Sequence, residues 1–336
     1  MTSTVHSRAG PAHKAATTGI SLRRRLRFGF QAAALWTSWT VLALLPHRAA
    51  LWLAGLIAQT IGPHLSFQKK IEENLGIAFP EQSATDIRRL SRRIWRHVGV
   101  VGAEYTHYHP SRLGPGGDIE IVGWEETQRL ARRGPLIYVG AHVGPWELPP
   151  VVLSQLGVDF MAIYSPRTNP FADRQIQRSR NRTAPRCRLV PKGVGAVRSA
   201  VEHLRRGDAV FLLADQRVIG GEILPFFGRQ AETTTTPARL ARRFDCPILP
   251  VLAERLDGAG YRVTFSAPLL PDPSRPAEED ERALTVAINT LFETWIRERP
   301  EQWFCLKRRW RIAAKVYALE GERGVGAPAA EVAEAD

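Results

Sequence analysis

Cysteine is scarce in this chain of 336 residues. Cys187, Cys246 and Cys305 are far apart, odd in number and free of any C-x-x-C spacing. They support neither a disulfide framework nor a structural zinc site, and read as buried reduced thiols in a cytosol-facing protein. Lysine is scarce too: only six of the 46 basic residues are lysine. With 33 acidic residues the net charge is +13, carried on an arginine-built surface. Codon bias explains part of the arginine excess but not the sign of the charge. Guanidinium forks match phosphate and carboxylate geometry, so the charge points to nucleic acid, anionic lipid or an acidic protein as partner.

Several signatures are missing altogether. No G-x-S-x-G elbow is present, which argues against a serine hydrolase. No G-x-x-x-x-G-K-[ST] loop occurs. Lys192 to Val197 contains Gly-x-Gly before a helical pattern, but Arg198 stands where a dinucleotide fingerprint needs its third glycine. No ligand cluster with metal spacing exists, so neither metal nor cofactor is expected. Without a helix-turn-helix, zinc-finger or RNA-recognition motif, nucleic acid is not the expected partner, and a membrane-tethered nucleic-acid-binding protein remains only an alternative. There is no internal repeat and no heptad array.

Apolar runs are present, but none is long. Residues 1–20 lack an apolar pattern and are expected to form a disordered tail. A basic knot follows (Arg23, Arg24, Arg25, Arg27), then the uncharged stretch Phe28 to Leu45 with Trp36 and Trp39. Pro46, His47 and Arg48 interrupt it before a second apolar run, Ala49 to Leu65. No small-residue cleavage site follows, which disfavours a removed signal peptide. Residues 21–65 are therefore expected to be a membrane anchor, either spanning or lying as a bent hairpin in one leaflet. Between Thr85 and Tyr105 apolar positions recur at helical spacing, with Arg88, Arg89, Arg92, Arg93 and Arg96 on the polar side. Such a face is commonly just solvated; beside an anchor it suits lipid head groups.

From residue 118 onwards strand-like runs alternate with helical patterns. Strands are expected at Leu136–Val139, Phe160–Tyr164, Arg188–Val190, Ala209–Ala214, Ile248–Ala253 and Arg262–Phe265. Helices are expected at 145–156, 170–182, 194–206, 237–244 and 279–298. The alternation predicts an α/β fold, a layered, largely parallel sheet with flanking helices, over residues 66–320. Residues 321–336 are rich in Ala, Gly and Glu and are expected to be a second disordered tail.

Ala141 to Glu147, AHVGPWE, follows the first of these strands directly. The order places His142 at a strand end and Glu147 in the first turn of a helix. There the carboxylate could orient the imidazole and raise its basicity towards an alcohol proton. With no serine or cysteine in a nucleophile setting, the pair suggests direct transfer to a hydroxyl. By itself the spacing also suits a strand-end histidine and a glutamate that merely favours the helix dipole.

Four further segments lie in positions suited to a site. Tyr164 to Arg182 carries Arg167, Asn169, Arg180 and four other charged residues after a strand end, where arginines could clamp phosphates or simply face solvent. Asp215 and Gln216 end a very apolar strand, as site groups or as an ordinary turn cap. Phe226 and Phe227, in LPFFG, could line an apolar chain channel or pack in the core. Pro300 to Trp310, PEQWFCLKRRW, mixes tryptophan with basic residues, as at a membrane interface or on nucleic acid.

Taken in order, these segments resemble the bacterial lipid A late acyltransferases, the lauroyl- and myristoyl-transferases of the lysophospholipid acyltransferase superfamily. The matching blocks are NLGIAFP at Asn74 to Pro80, His142-x4-Glu147, Tyr164-x-Pro166 with Asn169-Pro170, and Arg180. Asp215-Gln216, PFFG at Pro225 to Gly228, the threonine run, PEQW and RRW follow, over roughly residues 25 to 315. The resemblance implies a glycerolipid-acyltransferase-like fold in an enzyme of the bacterial inner membrane, with its active site on the cytoplasmic side. It would move a fatty acyl chain from acyl carrier protein to a hydroxyl of a lipid A precursor. His142 would be the general base, Glu147 its orienting partner, and Arg180 and Asp215 further catalytic groups. Arg167, Asn169, Gln216, Phe226 and Phe227 would bind substrate. Another anionic lipid, such as a phosphatidylinositol mannoside or an amino-acid lipid, is the alternative acceptor. Two departures stand out: Ser165 interrupts the usual Tyr-Arg-Pro, leaving Arg167 beyond the proline, and Cys305 and Lys307 replace a tryptophan and a histidine.

Overall fold

The computed structural model describes residues 21–108, 117–256 and 260–311. The expected tails, residues 1–20 and 321–336, lie outside the described residues.

The central layer is a seven-stranded sheet in the order β1-β9-β8-β2-β5-β3-β4. Its strands are β1 (Ile119–Val122), β2 (Ile137–Gly140), β3 (Phe160–Tyr164), β4 (Cys187–Pro191), β5 (Ala209–Leu213), β8 (Ile248–Arg255) and β9 (Tyr261–Phe265). β8, β2, β5, β3 and β4 are mutually parallel. Along each strand alternate side chains enter opposite apolar layers. Ile137, Val139, Met161, Val210 and Leu212 join one core cluster, and Tyr138, Phe160, Ala162 and Phe211 join the other. Burial on both faces explains why these strands read as continuous apolar runs.

All six expected strands form. The sheet is largely parallel, as expected, with one antiparallel pairing: β9 runs antiparallel to β8. The connection after Arg255 is too short for the crossover that a parallel neighbour needs. β1 and helix α5 (Trp124–Ala131) were not anticipated. Nor was the hairpin of β6 (Glu222–Phe226) and β7 (Arg229–Thr233), which contains the LPFFG run. Phe227 and Gly228 form its two-residue turn with φ of 51° and 66°. Consecutive left-handed residues match the twist of paired strands.

The other helices are α1 (Leu22–Leu44), α2 (His47–Ile61), α3 (Gln68–Ala78), α4 (Ala84–Glu104), α6 (Leu148–Gln155), α7 (Pro170–Thr183), α8 (Val194–Arg205), α9 (Thr236–Phe244) and α10 (Ala277–Glu298). Pro46 separates α1 from α2, and Leu45 before it is extended, as proline requires of its predecessor. α2 packs closely on α4: a Cβ at Gly99 would lie 2.2 Å from the Ala54 carbonyl oxygen. Among the described residues no helix is long and apolar enough to cross a membrane. Four arginines occupy the first turns of α1, where the spanning form of the anchor was expected.

α1 is docked on the α/β unit. Asn169 donates from Nδ2 to the Phe28 carbonyl (2.9 Å) and to Gln31 Oε1 (3.1 Å). Behind α2, Glu104 is fully buried and receives two 2.6 Å hydrogen bonds from Arg255. Tyr108 (3.1 Å) and Tyr261 (3.0 Å) donate to the same carboxylate.

Candidate active site

β2 ends at Gly140, and the chain then turns sharply through His142, Val143 and Gly144. Gly144 has φ +63°, and a Cβ there would lie 2.2 Å from the Ala253 carbonyl oxygen, so only glycine fits. This segment is pinned by the C-terminal PEQWF run. Phe304 N–H donates to the His142 carbonyl (2.8 Å), and Gly144 N–H donates to that of Gln302 (3.1 Å). The His142 ring lies beside Trp146 and Phe304, at centroid distances of 5.6 and 6.2 Å.

Asp215, two residues beyond β5, is 1 % exposed, and its Oδ1 lies 2.7 Å from His142 Nδ1. β2 and β5 are hydrogen-bonded neighbours, which brings two residues 73 positions apart to one sheet edge. Burial pushes the Asp215 carboxyl upward, but His142, by charge and hydrogen bonding, outweighs it and holds the pKa below the usual value. An ionised carboxylate only accepts, so the proton of neutral His142 sits on Nδ1, and Nε2 is left as a base.

Glu147 is placed differently from the sequence expectation. It stands at the N-cap position of α6, just before the helix, and its hydrogen bonds go to Arg180 and Tyr105 rather than to His142. Arg180 binds it with two donors, Nε to Oε2 (2.9 Å) and Nη2 to Oε1 (2.5 Å). The Tyr105 hydroxyl donates to Oε1 (2.5 Å). Burial opposes ionisation of Glu147, yet the Arg180 charge prevails and its pKa is lowered. Burial and the Glu147 carboxylate push the Tyr105 hydroxyl upward, keeping it a donor. The physical reason for the swap is reach: the left-handed Gly144 and Pro145 carry the chain away from the imidazole before α6 begins. Arg180 is thus committed to a carboxylate and is no free phosphate clamp.

A cavity of about 490 Å³ opens beside these groups. His142, Glu147, Arg180, Arg167 and Gln216 line it, and Val151, Ala162, Leu189 and Phe211 make its walls apolar. Cys187 also lines it, but burial raises its thiol to about 12, so it stays protonated. Gly193, which precedes α8, and Lys192 are on its lining too, so the Gly-x-Gly run set aside above contributes to the rim.

Three expected substrate-binding residues are elsewhere. Asn169 caps α7, its Oδ1 accepting from the N–H groups of Phe171 (3.0 Å) and Ala172 (3.2 Å), and it holds α1 with its other end. Phe226 and Phe227 are 0 % and 7 % exposed and pack on Trp303, so they belong to the core and not to a channel. The cavity's apolar walls come from strands and α6 instead. Tyr105, Trp39, Lys192 and Asn74 carry no sequence signal of this chemistry; Tyr105 follows a helix whose polar face is marked by its arginines. Asn74 of the NLGIAFP block is 1 % exposed and clamps the C-terminal segment. It donates to the carbonyls of Cys305 and Lys307 (2.8 Å each) and accepts from Arg309 N–H (2.9 Å).

Residues 23–312 match the family described as bacterial lipid A biosynthesis acyltransferase. The chain is 26% identical over 290 residues to the lipid A biosynthesis palmitoleoyltransferase of Escherichia coli (strain K12), covering 82% of this chain and 91% of that one. It is equally similar to a lipid A biosynthesis acyltransferase of Shigella flexneri. The lipid A biosynthesis lauroyltransferase of Escherichia coli (strain K12) is 26% identical over 254 residues, covering 72% of this chain and 78% of that one.

Proposed function

Since the chain belongs to the bacterial lipid A biosynthesis acyltransferase family, we propose that it moves a fatty acyl group from an acyl carrier protein thioester to a hydroxyl of a lipid A precursor. The observation that carries this reading is the His142–Asp215 pair, with His142 lining an apolar-walled cavity. A fatty chain fits apolar walls, and a base among the lining residues can take the proton of the hydroxyl that attacks the thioester.

In the proposed reaction His142 Nε2 takes the proton of the acceptor hydroxyl while the oxygen attacks the thioester carbonyl carbon. The tetrahedral intermediate then collapses and the C–S bond breaks. The imidazolium returns its proton to the departing sulfur, giving an ester and a free carrier thiol. Asp215 stabilises the imidazolium through Nδ1–H. The Glu147–Arg180 pair, held by Tyr105, shapes the site beside it without leaving an uncompensated charge.

The same reading assigns the protein to the cytoplasmic side of the inner membrane, with α1 and α2 lying in the interface. Its support is a concentration of exposed apolar side chains there: Leu22, Leu26, Phe30, Trp36, Trp52, Leu56 and Ile61 are all more than 40 % exposed. Arg23, Arg24, Arg25 and Arg27 lie at one end of this surface, suited to anionic head groups. The charge of +13 suits an acidic carrier protein.

The decisive experiment is mass spectrometry of lipid A from cells with and without the gene, together with transfer by the purified protein from acyl carrier protein. One acyl chain should disappear from lipid A in the deletion strain. Unchanged lipid A with another anionic lipid under-acylated would move the acceptor to that lipid. For the anchor, salt-washed membranes should retain the protein, and loss at high salt would reduce the attachment to charge alone.

A further inference from the structure

Most arginines around the site are already committed. Arg180 is bound to Glu147, Arg217 and Arg311 to Glu232, and Arg308 to Glu73. Arg309 donates to the Glu232 carbonyl and the Thr233 hydroxyl. Arg167, Lys192 and Lys307 differ: all three line the cavity, all are exposed, and none has a carboxylate partner among the described residues.

They come from three separate places. Arg167 follows β3, Lys192 follows the neighbouring β4, and Lys307 follows the segment that pins His142. Each backbone is held. Arg167 N–H donates to the buried Asp173 carboxylate (2.8 Å), and Lys192 N–H to the Tyr164 carbonyl (2.7 Å). The Lys307 carbonyl accepts from buried Asn74. Their backbones are therefore fixed, and all three like charges line one cavity. Their mutual effect is visible at Lys307, where partial loss of hydration among the cavity-lining side chains, then Arg167 and Lys192, lower the ammonium pKa although the residue is exposed overall. Asp215 offsets this in part, but it is engaged by His142. Repulsion of this kind is relieved by a multivalent anion. A tetrahedral phosphate presents oxygens to donors arriving from several directions, whereas a planar carboxylate serves a single fork better.

We propose that Arg167, Lys192 and Lys307 form a phosphate-binding rim at the cavity mouth, which holds a phosphate ester of one substrate while its acyl or hydroxyl group lies at His142. This rests on the acyl-transfer reading, under which two phosphates are available: that of the carrier's phosphopantetheine arm and that of the acceptor glycolipid. The rim's chemistry is the same for both.

The test is calorimetric binding with the full chain in detergent, which requires no turnover. In one arm 4′-phosphopantetheine is compared with pantetheine; in the other, the lipid A precursor is compared with the same lipid after phosphatase treatment. The wild type should prefer the phosphorylated probe in at least one arm, and that arm identifies the source. Lys192→Gln with Lys307→Gln should weaken phosphorylated-probe binding at least about tenfold, as expected for lost charge-assisted hydrogen bonds. Lys192→Arg with Lys307→Arg should retain it. Both lysines are exposed, so the variants should melt with the wild type. No phosphate preference in either arm, or a preference untouched by the glutamine variant, overturns the rim. Failure of the acyl-transfer reading appears separately, as absent product with wild-type protein.

Discussion

Trp39 of α1 lies stacked on Tyr105 at the end of α4, with ring centroids 5.3 Å apart and planes 18° from parallel. On its other side the Tyr105 hydroxyl holds Glu147, which in turn holds Arg180. A helix proposed to rest in the membrane interface is thereby one aromatic contact from the polar groups of the site. The same α1 is gripped by Asn169, whose helix α7 carries Arg180. Packed side chains thus connect α1 to the site.

Tyr105→Phe should lower kcat several-fold while KM changes little, because Glu147 keeps Arg180 but loses one donor. Trp39→Ala should act in the same direction, and Trp39→Phe should recover most of the loss by preserving the stacked ring. Steady-state kinetics on the three variants check this. Equal rates for Trp39→Ala and wild type would disconnect α1 from the site.

Removal of His142 and of its partner should have the largest effects on rate. His142→Ala should lower transfer by roughly 100-fold or more, the usual consequence of losing a general base. Asp215→Asn should approach it, since the amide can stabilise the wrong tautomer of the ring. Glu147→Gln should reveal a different role: it leaves Arg180 without its carboxylate, so stability falls by on the order of 3 kcal/mol, together with a smaller rate loss. Rates and melting curves on the three proteins separate the two carboxylates. A larger rate loss for Glu147→Gln than for Asp215→Asn would reverse their order.

The buried Glu104–Arg255 pair is expected to matter for stability and not for chemistry. Glu104→Gln strands a buried guanidinium among Tyr108, Tyr261 and His97, and should destabilise by on the order of 3–5 kcal/mol. Denaturant titration reads the stability, and the rate per folded molecule should remain near wild type. A stability change below about 1 kcal/mol would remove the network from the framework.

Stability should begin to fall below about pH 6.5. Burial and the adjacent Arg255 hold His97 neutral, with its pKa well below the ordinary 6.5, and His203 is lowered as well, mainly by burial. Both bind a proton more readily when unfolded, so their contribution is complete above the unfolded pKa and is lost as pH falls towards the folded value. Asp215 and Glu147 follow at lower pH, again lost as pH falls through their depressed folded values. Each uncompensated proton gives a slope of roughly 1.4 kcal/mol per pH unit. His97→Gln should flatten the profile between pH 6.5 and 5, and adding His203→Gln should flatten it further. An unchanged slope in the double variant would assign the loss to other groups.

Much of the framework was legible because it is local. Ile137 to Gly140, Phe160 to Tyr164 and Ala209 to Leu213 are apolar on both faces, and such runs report buried strands wherever they occur. The β6–β7 hairpin was not legible, because its turn uses Phe227 in a left-handed conformation that phenylalanine rarely adopts. β9 matched its expected span, but its direction was not legible, since strand direction depends on the length of the connection and not on the strand itself.

The site divides in the same way. Residue types, order along the chain and proximity to strand ends were determined by the sequence and singled out these residues, and the family resemblance joined His142, Glu147, Arg180 and Asp215 as a group. Which carboxylate meets which cation was decided only by the tertiary structure. Asp215 reaches His142 because β2 and β5 are neighbours in the sheet, while Glu147, five residues away in the chain, is turned aside by Gly144 and Pro145. Sequence distance measures path length along the backbone; hydrogen bonding needs about 3 Å through space, and the order of strands in the sheet converts one into the other.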